Sequence, residues 1–222
     1  MKVAILCGGL GTRLGELTKN VPKPMIEIGG RPYLERVVES FRNRGFRDFV
    51  FLSGYLPHVI ESHFGDGSRF GASIEYSVET TPLGTGGALR EARHLLTDRF
   101  IMTFGDVLRY HHYDHFVSAH EHNCLAVYPR LTIGNAEVDD GLVMRFDKHA
   151  PELPFIDAGF SVMERSTIDY LPPQGSCSFE EIVYSGLASH GELEAEIVDH
   201  DFFDIGTPEE LAKTRAALEI TA

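Results

Sequence analysis

The chain has 222 residues, 43% hydrophobic and 24% charged, an ordinary globular balance that excludes a disordered polymer. Twenty Lys+Arg against 33 Asp+Glu give a net charge of -13, which argues against non-specific nucleic-acid binding and against an anionic membrane surface. No stretch approaches the roughly 20 apolar residues of a membrane span, and the N-terminal apolar run is too short for a secretion signal, so a soluble, cytoplasmic protein is expected.

Val3-Ala4-Ile5-Leu6 reads as a buried strand ended by Gly8-Gly9-Leu10-Gly11. Residues 33–44 place Leu34, Val37, Val38 and Phe41 on one helical face, with Gly45 as a stop. Phe49 to Leu52 is a second strand, 57–64 a helix, Ile74 to Val78 a strand and Thr85 to Leu96 a helix. Phe100 to Phe104 is a strand ending at Gly105-Asp106, followed by a helix over 113–122 and a strand from Cys124 to Leu131. Leu142 to Phe146 and Phe155 to Met163 read as strands and Pro208 to Leu218 as a terminal helix. Strands alternating with helices predict an α/β fold with a mostly parallel sheet covered on both faces. No linker or repeat interrupts residues 1–222, so one domain is expected. Cys7, Cys124 and Cys177 are far apart and form no metal-type pair, so they read as reduced thiols.

Charge is unevenly spread. Residues 1–25 carry Lys2, Arg13, Lys19 and Lys23 against Glu16 alone, whereas residues 176–210 carry ten carboxylates and no Lys or Arg. The basic end coincides with Cys7-Gly8-Gly9-Leu10-Gly11-Thr12-Arg13-Leu14. Glycines after a strand let backbone N–H groups approach a phosphate, and a helix N-terminus behind them would add a favourable dipole. A P-loop fails because no Lys follows the glycines, and a dinucleotide fingerprint fails because its third glycine position is Leu14. That disfavours a nicotinamide-dependent dehydrogenase.

This loop, continued by Leu17-Thr18, Pro22-Lys23-Pro24-Met25 and Ile28-Gly29-Gly30-Arg31-Pro32, resembles the signature of sugar-1-phosphate nucleotidylyltransferases. The match recurs at Pro82-Leu83-Gly84-Thr85-Gly86-Gly87-Ala88-Leu89, Gly105-Asp106, Asp157-Ala158-Gly159 and Phe203-Asp204-Ile205-Gly206-Thr207-Pro208. It implies a Rossmann-like three-layer α/β/α sandwich with a mostly parallel mixed sheet. Residues 1–135 would mainly bind nucleotide, and 136–222 mainly the acceptor. The implied reaction joins an NTP and a sugar 1-phosphate into an NDP-sugar, releasing pyrophosphate. The attacking phosphate oxygen is already anionic, so positioning and charge neutralisation replace a general base.

By this resemblance, Leu6, Gly8, Gly9, Gly11, Thr12 and Arg13 hold the nucleotide, with Pro82, Gly84, Thr85, Gly86 and Gly87 along the base and ribose. Arg13 neutralises the leaving pyrophosphate, and Lys23 contacts the α-phosphate and the incoming phosphate. Asp106 and Asp204 would bind Mg2+, with Asp199 and Asp201 as nearby decoys. On the acceptor side stand Asp147, Lys148, Asp157, Gly159 and Glu180. Relatives often carry Glu-Lys at Asp147-Lys148, Asn at Asp157 and Asn at Phe104. Relatives are often dimers or tetramers, which leaves a homo-oligomer open.

Substrate signals conflict. Pro82 to Ala88 resembles guanylyltransferases acting on heptose or mannose 1-phosphate, and Cys177-Ser178-Phe179-Glu180-Glu181-Ile182 resembles the heptose enzymes. Met25-Ile26-Glu27-Ile28-Gly29-Gly30 resembles glucose-1-phosphate cytidylyltransferases, and the acidic C-terminal part keeps phosphocholine or an aminophosphonate in play. GTP with D-glycero-D-manno-heptose 1-phosphate is the preferred pair. A non-catalytic nucleotide-binding relative would usually have lost a metal carboxylate or the loop lysine, and both are kept. Separately, His111, His112, His115, His120 and His122 crowd into twelve residues; a helix there would put His111, His115 and His122 on one face. The spacing is not H-E-x-x-H, and the family reading needs no metal there.

Overall fold

The structure is a computed structural model that describes residues 1–130, 133–199 and 202–219. The elements run β1 Lys2–Leu6, β2 Glu27–Ile28, β3 Arg31–Pro32, α1 Tyr33–Arg42, β4 Asp48–Ser53, α2 Pro57–Phe64, β5 Ser73–Val78 and α3 Gly84–Glu91. They continue β6 Arg99–Phe104, β7 Val107–Arg109, α4 Tyr113–Ala119, β8 Cys124–Pro129, β9 Ala136–Asp139, β10 Leu142–Phe146 and β11 Phe155–Glu164. Last come α5 Ser185–His190, β12 Glu194–Ile197, β13 Phe202–Asp204 and α6 Pro208–Glu219. The proposed strand end at Leu131 and the decoy Asp201 lie outside the described residues.

The main sheet has the order β5-β4-β1-β6-β11-β8-β12-β10-β9. Its first four strands are parallel, and β11 then enters antiparallel between β6 and β8. Parallel pairing therefore dominates the half built by the early βαβ units; the later half is mixed, with β12 alone parallel to β8. The late strands were harder to read because β12, β13 and β9 are three to four residues long. They offer too few alternations to show a period.

Alternation along the early strands explains the three layers. Val3 and Ile5 of β1 and Phe49 and Phe51 of β4 point to the face covered by α1, where Leu34, Val37, Val38 and Phe41 are buried. Ala4, Val50 and Leu52 point the other way, onto Leu89 and Ala92. Each fully buried side chain of this size contributes about 1.5–3 kcal/mol, so both faces are anchored by sequence-local patterns. The α1 helix ends near its expected stop, where Gly45 sits at φ 91. Among the described residues, no helix is long and apolar enough to cross a membrane.

Candidate active site

In the parallel half, β1 has β4 on one side and β6 on the other, and the chain order reverses between β1 and β6. Open α/β sheets bind ligands outside the carboxyl ends of their strands at such a switch point. There the structure opens a cleft of about 620 Å³. Leu6, Gly8, Gly9, Gly11, Thr12, Arg13, Lys23, Pro82, Gly84, Thr85 and Asp106 all line it.

The glycine loop is held from both sides. The N–H of Cys7 donates to the Leu52 carbonyl, and the N–H of Tyr55 donates to the Gly8 carbonyl. Gly11 lies at φ +63, and a Cβ there would stand 2.9 Å from Thr18 Cγ2 and 3.1 Å from Lys23 Cβ. The loop thus folds onto the lysine that follows it. No α-helix stands behind it: residues Thr12–Thr18 form 3-10 turns broken at Gly15 (φ 56, ψ -118). In place of the expected helix dipole, the cleft lining carries the cations of Arg13 and Lys23.

Lys23 is 8% exposed, and its Nζ donates to Asp106 Oδ2. Asp106 sits between β6 and β7, and β13 pairs with β7 so that Asp204 faces Val107. The two carboxylates therefore come from segments nearly a hundred residues apart and meet through one short ladder. Asp204 Oδ1 accepts the Gly206 N–H, and the Ile205 N–H donates to the Asp106 carbonyl at 3.2 Å. Burial, and then the charge of Asp106, push the Asp204 carboxyl above its usual range. Tyr33 closes this corner from α1, its hydroxyl donating to the Phe203 carbonyl. Burial and both carboxylates push that phenol up, so it stays neutral. Two like charges with one ammonium suit a further cation, and one or two carboxylates plus phosphate oxygens are the donors Mg2+ accepts.

The second loop is built against residues 171–180. Gly84 lies at φ +68, where a Cβ would stand 2.4 Å from the Cys177 carbonyl oxygen. The N–H of Cys177 donates to the Leu83 carbonyl, and that of Gly86 to the Cys177 carbonyl, both at 2.9 Å. Gly86 and Gly87 are buried beneath the loop and are not among the lining residues. Thr85 does not cap α3; its hydroxyl donates to Glu180 Oε2 and accepts the Phe179 N–H.

Glu180 is 2% exposed. Burial would raise its carboxyl, but Lys148 and the hydroxyls of Thr85 and Ser178 outweigh that and hold it below the usual range. Lys148 Nζ reaches Glu180 Oε2 and Ser178 Oγ, each at 3.1 Å. Asp157 feels the charges of both Glu180 and Lys148, and Gly159 donates its N–H to Asp157 Oδ1. Lys148, Asp157, Gly159 and Glu180 thus form one group behind the second loop, outside the cleft lining. Asp147 is apart from them: it pairs with Arg145 at 2.9 Å and closes its own turn by accepting the His149 N–H.

Burial pushes the Asp157 carboxyl from 3.8 up to about 7. Between those values the folded chain keeps a proton that the unfolded chain has released, so stability falls as pH rises. Asp157→Asn should remove this slope. In urea unfolding at pH 5 and pH 8, the variant should lose less stability on going to pH 8 than the parent; equal losses would sink the assignment.

Sequence reasoning missed Glu79. It follows β5 directly and lines the cleft. Its Oε2 accepts the Leu83 N–H at 3.1 Å, and its Oε1 lies beside Gly8 and Gly54. Burial raises its carboxyl, partly opposed by the Leu83 N–H. The available signal was an acidic residue just before Pro82-Leu83-Gly84, in a loop already assigned to the base. Cys7 also lines the cleft, but burial and then Asp106 push its thiol up, and it donates to the Leu52 carbonyl. It is no nucleophile.

A glycine loop, a buried lysine and a strand-end carboxylate thus share one cleft at the switch point of an α/β sheet. The family profile described as "Nucleotidyl transferase" matches residues 2–141, and the chain belongs to that family. It is 34% identical to "Mannose-1-phosphate guanylyltransferase" of Mycobacterium tuberculosis over 96% of this chain, spanning 63% of that protein. It is 31% identical to "D-glycero-alpha-D-manno-heptose 1-phosphate guanylyltransferase" of Campylobacter jejuni, covering 95% of this chain and 96% of the other. The crystal structure of HddC from Yersinia pseudotuberculosis, complexed with GMP-PN, superposes with a TM-score of 0.83 at 26% identity, over 98% of this chain and 99% of that one.

Proposed function

We propose that this chain is a guanylyltransferase that joins GTP to a sugar 1-phosphate and releases pyrophosphate. The observation that carries this reading is the convergence of the Gly8–Gly11 loop, Arg13, Lys23 and Asp106 on one cleft at the switch point. A phosphate oxygen of the acceptor attacks the α-phosphorus in line; the new O–P bond forms as the bond to the β-phosphate oxygen breaks. That oxygen is anionic near neutral pH, since the second phosphate pKa is about 6. The protein's task is to orient it and spread the charge.

In this reading the loop N–H groups cradle the triphosphate, and Arg13 follows the charge that builds on the leaving pyrophosphate. Lys23 has three N–H donors, one of them engaged by Asp106, which leaves the rest for the α-phosphate and the incoming phosphate. Asp106 and Asp204 would hold Mg2+, which when bound supplies further neutralisation of phosphate charge. The Lys148–Glu180–Asp157 group belongs to the acceptor, with Lys148 for its phosphate and Asp157 for its hydroxyls.

Glu79 supports guanine. An ionised carboxylate only accepts hydrogen bonds. Guanine alone among the common bases offers two adjacent N–H donors on its pairing edge. The resemblance of Cys177-Ser178-Phe179-Glu180-Glu181-Ile182 to the heptose enzymes, together with 31% identity to the Campylobacter heptose enzyme, supports heptose 1-phosphate as acceptor. A pyrophosphate-release screen tests this by crossing five NTPs with sugar 1-phosphates, phosphocholine and aminoethylphosphonate. Release with GTP and the heptose alone is expected; release only with CTP would overturn the base assignment. Glu79→Gln should lower kcat/KM for GTP by roughly 10- to 100-fold, the worth of a hydrogen bond to a charged group. It should also narrow the preference over UTP, because an amide presents one donor and one acceptor.

A further inference from the structure

The histidine-rich segment is not a helical metal face. Helix α4 covers only Tyr113–Ala119, so His111 precedes it and His120 and His122 follow it. His122 faces Glu164 at 3.4 Å, and His112 lies 3.4 Å from Arg44. His120 takes a different course. Arg99 donates to its carbonyl, and its ring is inserted against the start of β12.

There the Nδ1 of His120 lies 2.5 Å from Glu194 Oε2, and its Nε2 lies 2.9 Å from Glu196 Oε2. A neutral imidazole has one N–H and one bare lone pair. It can satisfy one of these carboxylates, not both. Either the ring carries two protons, or a cation shared by Nδ1 and Glu194 spreads that pair to the roughly 3.3 Å that two ligands about 2.0–2.1 Å from one ion require. Cys124 favours the cation. It opens β8, its register partner on β12 is Glu194, and it is fully buried. Its Sγ, one His120 nitrogen and one Glu194 oxygen all lie within 4.8 Å of one another. A thiol adds nothing to a histidinium–carboxylate pair, whereas sulfur, imidazole and carboxylate together are the mixed donor set that zinc prefers.

The geometry points to a binding site for a zinc-class divalent ion formed by His120, Cys124 and Glu194, separate from the nucleotide cleft. Glu196 fixes the ring through its second nitrogen, as carboxylates do for metal-bound histidines, and His111 Nε2 holds Glu196 in turn at 3.4 Å. The three donors come from the end of α4, the start of β8 and the start of β12, so a bound ion would tie a surface helix to the sheet. None of these residues lines the cleft.

Cobalt substitution tests it on the full chain, prepared without an affinity tag. With Co2+, the parent should show a thiolate-to-cobalt charge-transfer band in the near ultraviolet, saturating at one ion per chain. Asp106→Asn should keep the band, because the nucleotide cleft contributes no thiolate ligand to it. Cys124→Ser should abolish it. Glu194→Gln, at a partly exposed position that leaves the buried thiol in place, should weaken Co2+ binding at least about tenfold. Absence of the band in the parent would overturn the site and leave a histidinium bridge. A band of unchanged affinity in Glu194→Gln would likewise reject this donor set.

Discussion

Asp106→Asn is expected to lower pyrophosphate release by about 10²- to 10³-fold, the cost of removing one electrostatic group that acts on the transition state. The substitution keeps the shape and an acceptor for Lys23, so the loop geometry should survive. What changes is charge at the point where β7 and β13 bring two carboxylates together. The nucleotide contacts proposed for the glycine loop and the Gly84–Thr85 backbone do not involve Asp106. GTP affinity, measured by calorimetry without divalent ions, should therefore stay within a few-fold. A second readout separates charge from folding: the Mg2+ concentration for half-maximal rate should rise together with the loss of rate. Activity within tenfold of the parent, at unchanged Mg2+ requirement, would remove Asp106 from the proposed chemistry.

The residues of this site differed in how clearly the sequence announced them. Gly11, Lys23 and Asp106 were legible because each lies in a short motif directly attached to a strand or turn, and local chain geometry carries them into the cleft. The three layers were legible for the same reason: Val3, Ile5 and Phe49, Phe51 alternate within strands long enough to show a period. Asp204 could be named by resemblance, but its approach to Asp106 depends on β13, three residues long, pairing across almost a hundred positions. Glu79 carries no motif of its own. It becomes a cleft residue only because β5 ends beside the glycine loop, a fact of sheet order rather than of local pattern. The fates of Thr85 and Glu180 were hidden similarly. Glu180 could be named by resemblance, but the convergence of Lys148, Ser178 and Thr85 on one of its oxygens depends on the tertiary fold. The histidine run could be read only conditionally: a helix there would align His111, His115 and His122, and α4 spans only His115 of the three.

Lys23→Met should be the most damaging single change in the cleft, and its two effects can be told apart. Methionine keeps most of the unbranched stem that lies under Gly11 and removes only the ammonium. Loss of the cation proposed to contact the α-phosphate should lower kcat/KM by about 10²- to 10³-fold. Stability should fall as well, because Asp106 and the half-buried Asp204 then face each other with no ammonium between them. Breaking a fully buried pair costs about 3–5 kcal/mol. The Asp106 side chain keeps 26% exposure, so about 1–3 kcal/mol is the expected loss here. The sign of a double variant decides the cause. If carboxylate repulsion drives the loss, Lys23→Met with Asp106→Asn should be more stable than Lys23→Met alone, although it carries one more substitution. A urea-unfolding cycle of the four chains measures this, and the coupling should exceed the ~0.5 kcal/mol that independent sites show. Additive losses would mean that the lysine contributes through its packed stem and that the charge pair is incidental to the fold. Restored stability with no restored activity would separate the two roles: the ammonium balances the carboxylates in the resting cleft, and the same ammonium is what the reacting phosphate requires.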